Sequence, residues 1–136
     1  MVSIKKITLT AVLFSGLLFS AFVSNAQIPK DIIEGFETGN VKILSRYFSQ
    51  NVNLVVLENN NVYSKAQTQR IVGDFFNNYV PDPEKKFTII HESSREGAKS
   101  VIGTIETTKG EVFRVHFLLR QSDGKEYIHQ LRFDKQ

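Results

Sequence analysis

From Phe87 to the C-terminus the chain alternates. Apolar and polar side chains exchange at every second position through four segments, and each break between segments carries a glycine: Arg95-Glu96-Gly97, Thr108-Lys109-Gly110 and Ser122-Asp123-Gly124. Period-two alternation marks strands buried on one side, and glycine-bearing breaks mark hairpin turns, so this half of the chain reads as a four-strand antiparallel meander. Each turn admits a two-residue loop or a three-residue loop with a left-handed glycine. The choice is consequential, because a one-residue slip carries every side chain to the opposite face. Two-residue loops would set Arg114 on one face with Leu131 and Phe133, whereas three-residue loops make all three hairpins agree, so the three-residue reading is taken. It gathers Phe87, Ile89, His91, Val101, Gly103, Ile105, Phe113, Val115, Phe117, Leu119, Tyr127, His129, Leu131 and Phe133 on one face. The other face holds Thr88, Ile90, Glu92, Ile102, Thr104, Glu106, Val112, Arg114, His116, Leu118, Arg120, Ile128, Gln130 and Arg132. The first face is greasy enough to need a covering layer, and Gly103 in mid-strand predicts a bend.

The covering layer comes from the residues before Phe87. Pro29 suits the first turn of a helix, Asp31 and Glu34 favour its positive end, and Ile32, Ile33 and Phe36 form its apolar stripe up to Gly39. Asn40 can cap a second short helix carrying Val41, Leu44, Tyr47 and Phe48. Residues 52–57 are β-branched and aliphatic, as a strand requires, Asn59-Asn60-Asn61 reads as a turn, and Val62-Tyr63 begins a return strand. Ser64 and Gln67 have the spacing of a capping box, which opens a helix running to about Asn78 with Ile71, Val72, Phe75 and Phe76 inward, until Pro81 and Pro83 stop it. The expected fold is α+β, in the order α-α-β-β-α-β-β-β-β, with three helices on one face of a curved antiparallel sheet.

The N-terminus is set apart from this pattern. Lys5 and Lys6 precede a charge-free apolar run over residues 7–23, and Ser24-Asn25-Ala26 supplies small residues at the exit. This is the anatomy of a secretory signal over residues 1–26 with cleavage after Ala26, leaving one domain over 27–136. No cysteine occurs, so a lipid-anchored start, disulfides and thiolate chemistry are excluded. Removing Lys5 and Lys6 takes the 17 basic residues to 15 against 14 acidic ones, so +3 becomes +1. A nearly neutral domain lacks the basic stripe that displaces counterions from phosphates, and nucleic acid is not expected as a partner. The chain is expected to be exported, periplasmic or secreted, with no membrane association after cleavage.

Several segments together resemble a known family. They are the Ile28-Pro29 helix start, Gly39-Asn40, Arg46-Tyr47-Phe48, Val62-Tyr63-Ser64-Lys65-Ala66-Gln67, Asp74-Phe75-Phe76, Phe87-Thr88-Ile89-Ile90-His91, Gly97-Ala98-Lys99, Phe113-Arg114-Val115-His116-Phe117-Leu118-Leu119 and Gln130-Leu131-Arg132-Phe133. The pattern is similar to the domain of unknown function 4783 family of small secreted bacterial proteins, within the nuclear transport factor 2-like, or cystatin-like, superfamily. The resemblance implies a cone of helices and bent sheet enclosing a cavity. It implies no activity, because the superfamily mixes enzymes with binding and dimerising domains.

Enzymes of that superfamily use a carboxylate projecting from a strand into the cone as general base. In this chain Asp31, Asp74, Asp82, Asp123 and Asp134 fall on helices, turns or the terminus, and Glu92 and Glu106 face outward in the chosen register. His91 and His129 face the cone in a row His91–Val101–Phe117–His129. Three strand spacings of ~4.8 Å separate them by roughly 14 Å, too far to share a metal. No cofactor or metal is expected. The pocket candidates are His91, Phe117, His129, Tyr127 and Tyr63, and the weak catalytic candidates are His129 with Tyr127 or Tyr63 as acid and base. The plainer reading makes these histidines hydrogen-bonded residues at the cone rim. No Gly-x-Ser-x-Gly elbow, phosphate loop or His-Glu-x-x-His motif occurs.

On the outer face apolar side chains mingle with arginine, which suits an interface better than bare solvent. The resemblance implies pairing through this face, and the dimer-face candidates are Ile90, Ile102, Arg114, His116, Leu118, Ile128, Gln130 and Arg132. The leading expectation is a non-catalytic binding domain that holds a small apolar ligand or a peptide in the cone and forms a homodimer through the sheet. The alternatives are a small cofactor-independent lyase or isomerase with a His/Tyr site, and a purely structural dimer whose phenylalanines fill the cone.

Overall fold

Helix α1 (Lys30–Thr38) starts behind Pro29 and ends at Gly39, whose left-handed φ of 66° lets the chain reverse. A β-carbon at Gly39 would also lie 2.9 Å from the Pro81 ring, so both backbone and space demand glycine there. The Asn40 side chain accepts the amides of Lys42 and Ile43 and so caps α2 (Val41–Ser45). The computed structural model describes residues 27–136, and the expected export signal over residues 1–26 lies outside the described residues.

Helix α2 is shorter than the apolar spacing implied. Tyr47 lies in a turn, and Phe48 already belongs to β1 (Phe48–Val56). The next turn is Leu57-Glu58, not the three asparagines. Leu57 takes a φ of 53°, and Asn59, Asn60 and Asn61 become the exposed start of the edge strand β2 (Asn59–Ser64). An edge strand tolerates asparagine because its side chains meet water. The expected capping box is present: the Ser64 hydroxyl accepts the Gln67 amide at 3.2 Å, and the Gln67 side chain accepts the Ser64 amide at 3.0 Å. It opens α3 (Lys65–Asn78), which buries Val72, Phe75 and Phe76.

Strands β3 (Thr88–Arg95), β4 (Ala98–Glu106), β5 (Val112–Ser122) and β6 (Lys125–Lys135) form the meander, and β1 joins it parallel to β6. The single six-stranded sheet has the order β2-β1-β6-β5-β4-β3. The middle hairpin has the expected three-residue loop. The Thr107 amide bonds the Glu111 carbonyl at 2.8 Å around Thr108-Lys109-Gly110, and Gly110 is left-handed.

The flanking hairpins correct the sequence reading. Arg95 pairs with Ala98 and Ser122 with Lys125, so each loop has two residues, Glu96-Gly97 and Asp123-Gly124, all four with positive φ. Such turns match the twist of antiparallel strands. The register change is then absorbed by one inserted residue: Ile90 in β3, between Ile89 and His91, and His129 in β6, between Ile128 and Gln130. Beyond each bulge the expected faces hold, with Ile89 opposite Gly103 and Leu131 opposite Phe117. Between turn and bulge they reverse. His91 lies opposite Ile102 on the face away from the helices, Glu92 lies opposite Val101 on the helix side, and Ile128 is fully buried opposite Leu119.

Ile32, Phe36, Leu44, Val72, Phe75 and Phe76 from the helices meet Val101, Ile105, Phe113, Val115, Phe117, Leu119, Ile128, Leu131 and Phe133 from the sheet. All eight phenylalanines of residues 27–136 are buried. Phe36 stacks on Phe117 at 5.1 Å and on Phe87 at 5.5 Å, while Phe75 meets Phe133 at 4.4 Å and Phe113 at 5.0 Å. Burying each such ring stabilises the fold by about 1.5–3 kcal/mol from area alone. Gly103 makes room for one of them: a β-carbon there would lie 2.2 Å from the Phe87 ring.

Candidate functional site

The sequence reading puts the pocket candidates in the interior of the cone. The row across the sheet on the helix side reads Glu92–Val101–Phe117–Leu131–Leu54, in place of the expected row ending in two histidines. Phe117 is the one pocket candidate at its centre, and it is fully buried under Phe36. His91 is exposed on the far face. Tyr127 lies opposite Arg120, also away from the helices, and His129 is the inserted bulge residue. Tyr63 faces the helix side opposite Val52, half-buried against the core, with its hydroxyl 3.5 Å from the Asn59 side chain. The sheet therefore separates Tyr63 from Tyr127.

The interior holds little that can move a proton. Among the described residues the buried polar side chains are Thr68 and Thr107. The Thr68 hydroxyl donates to the Ser64 carbonyl at 2.8 Å, and the Thr107 hydroxyl accepts the Glu111 amide at 3.1 Å. Glu92, turned to the helix side by the bulge, is exposed and ion-paired with Lys99 at 3.1 Å. Glu37 accepts the Phe87 amide at 2.9 Å and so fixes the start of β3 to α1. No group of three or more metal-ligating side chains is found among the described residues.

The face away from the helices is different. Ile102 and Leu118 are half-buried there, Arg114, Gln130 and Arg132 are exposed, and Ile90 is 51% exposed at the edge. Ile128, expected on this face, is in the core instead, for the reason of register given above. At the centre the His116 imidazole lies 2.8 Å from the Ser100 hydroxyl. Partial burial holds the His116 pKa below its usual value, the Arg132 guanidinium lowers it further, and the Asp134 carboxylate opposes both. Arg132 itself bonds Asp134 at 2.6 Å, which raises its own pKa. Arg114 lies opposite Asp134 on β6 and opposite Thr104 on β4, with Glu106 two residues further along β4, so both signs of charge occur at one end of the face.

The family model for a domain of unknown function, DUF4783, matches residues 29–134. The chain belongs to that family. A DUF4783 protein of Bacteroides ovatus is 31% identical, with a TM-score of 0.73 over 82% of this chain and 98% of that one. One from Bacteroides fragilis is 29% identical, with a TM-score of 0.73 over 81% of this chain and 100% of that one. An NTF2-like protein of unknown function from Shewanella baltica shares the fold at 19% identity, with a TM-score of 0.57 over 79% of this chain and 86% of that one. No curated protein matches. The architecture is thus the expected NTF2-like α+β fold, and this chain has a bulge in each of β3 and β6.

Sequence reasoning named Tyr127 and His129 as pocket residues but not the neighbours they have in the structure. Ser49, Gln50, Lys65, Asp123, Tyr127 and His129 line a cleft at the bulged end of β6. They come from four separate segments, so no local motif announces them.

Proposed function

We propose that this DUF4783 chain is an exported, non-catalytic interaction domain that acts as a homodimer through the sheet face away from its helices. One observation carries the reading: the phenylalanines occupy the interior, where the superfamily's enzymes keep their chemistry, and the buried polar groups beside them are two satisfied threonines. An acid–base site needs a titratable group facing a space that a substrate can enter. The same filling speaks against an apolar ligand held inside the cone.

Support for the dimer comes from the outer face. Ile102 and Leu118 lie on adjacent strands beside His116, and Arg114 lies opposite Asp134, with Glu106 near the same end of the face. A two-fold axis sets this patch against itself, so the apolar pair covers its copy and cations meet carboxylates. Native mass spectrometry of the protein purified from its own host tests the reading. It is expected to show cleavage after Ala26, two chains per particle and no ligand extractable from the core. A monomer, or a dimer that persists when Leu118 is replaced by Glu, would refute the assigned face. A retained apolar molecule whose loss opens the Phe36–Phe117 stack would restore the ligand-in-cone reading.

A further inference from the structure

Tyr127 and His129 fail as a pair inside the cone, yet the fold brings them together elsewhere. We propose that the cleft at the β6 bulge binds a neutral, hydroxyl-rich ligand of the size of a single pyranose sugar. Two irregularities meet there: β6 carries the inserted His129, and the ladder between β1 and β6 is broken between Phe48 and Asn53. The strands part, and a cleft of about 380 Å³ opens beside them, within the usual range of small-molecule sites of roughly 300–1,000 Å³. Phe48 forms part of its wall and belongs to the core, so that wall is fixed by the same packing that holds the fold.

The chemistry of the lining selects the ligand class. Ser49, Gln50, Tyr127 and His129 can each donate and accept a hydrogen bond, whereas Lys65 only donates and Asp123 only accepts. None of these six side chains hydrogen-bonds or ion-pairs with another described residue. Their capacity is therefore available to a ligand. Lys65 and Asp123 carry opposite charges, so the cleft has no net charge with which to favour an anion or a cation. A sugar hydroxyl both donates and accepts, as four of the six side chains do. The Tyr127 ring adds an apolar surface for the C–H face of a pyranose. The cleft is a separate feature from the dimer patch around Leu118, and the inference does not depend on that dimer.

The test is saturation-transfer NMR followed by calorimetry on residues 27–136. The probes are the methyl glycosides of glucose, galactose, mannose and N-acetylglucosamine, with glycine and inorganic phosphate as charged comparators. At least one glycoside is expected to bind in the millimolar range, and glycine and phosphate are not. Replacing His129→Ala or Tyr127→Phe should weaken that binding roughly tenfold, while Lys109→Ala, in the β4–β5 loop, leaves it unchanged. Tyr127→Phe keeps the ring, so it reports on the hydroxyl even if His129→Ala disturbs the bulge. Binding of no glycoside, binding of a charged comparator instead, or glycoside binding indifferent to both cleft substitutions would overturn the proposal.

Discussion

The two faces of the sheet are made by the same strands, and they differ sharply in burial. On the helix side β5 presents Phe113, Val115, Phe117 and Leu119, all buried, while the alternate residues Arg114, His116, Leu118 and Arg120 are exposed or half-exposed on the other side. One side is closed by aromatic stacking and carries stability. The other is polar, arginine-bearing and unfilled. The proposed homodimer uses that second side.

The comparison predicts unequal costs. Phe117→Ala removes a ring that is fully buried beneath Phe36 and leaves a cavity that the sheet cannot close. It should cost about 3–5 kcal/mol in urea unfolding, the largest effect here. A loss below about 1 kcal/mol would mean that the interior is looser than the stacking distances imply. Gly103→Ala comes next. Its β-carbon would meet the Phe87 ring at 2.2 Å, so about 1–3 kcal/mol should be lost, and Phe87→Leu in the same chain should recover part of it. Independent losses would show that the two sites are not coupled by contact. Ser64→Ala removes the hydroxyl that accepts the Gln67 amide and should cost about 1 kcal/mol by thermal melting. On the outer face Leu118→Glu should change stability by less than about 1 kcal/mol and be read instead in the particle mass.

The smallest effect concerns pH. The folded chain holds the His116 pKa below the ordinary 6.5, so the unfolded chain takes up the proton more readily. The contribution is therefore fully present above pH 6.5 and is lost as pH falls from there through the folded value. Urea titrations between neutral and mildly acidic pH should show His116→Gln with a shallower acid-side decline than the parent chain. Parallel declines would remove His116 as the cause.

How far this division was legible depends on where the ladder is regular. The capping box of Ser64 and Gln67, the Asn40 cap and the middle hairpin were readable because each is a local hydrogen-bonding arrangement with fixed spacing. The faces of β4 and β5 were readable because no residue is inserted in either strand. The ends of β3 and β6 were not. A turn with two left-handed residues and a bulge several residues away are coupled errors, and neither changes the composition. A faint signal existed: Ile128 and Leu131 are apolar at an odd spacing of three, which a regular strand cannot bury on one face, and Ile89-Ile90 is apolar at consecutive positions. That signal would have moved Ile128 into the core and His129 out of it. The cleft around His129 was beyond reach in any case, since Gln50, Lys65 and Asp123 meet only through pairing between distant strands.

The proposed pairing through the outer face is tested most directly by light scattering of residues 27–136 at micromolar concentration, with the Leu118→Glu variant beside it. The parent chain is expected at twice the chain mass and the variant at one chain mass, with matching circular dichroism. A parent chain at single mass would contradict the account.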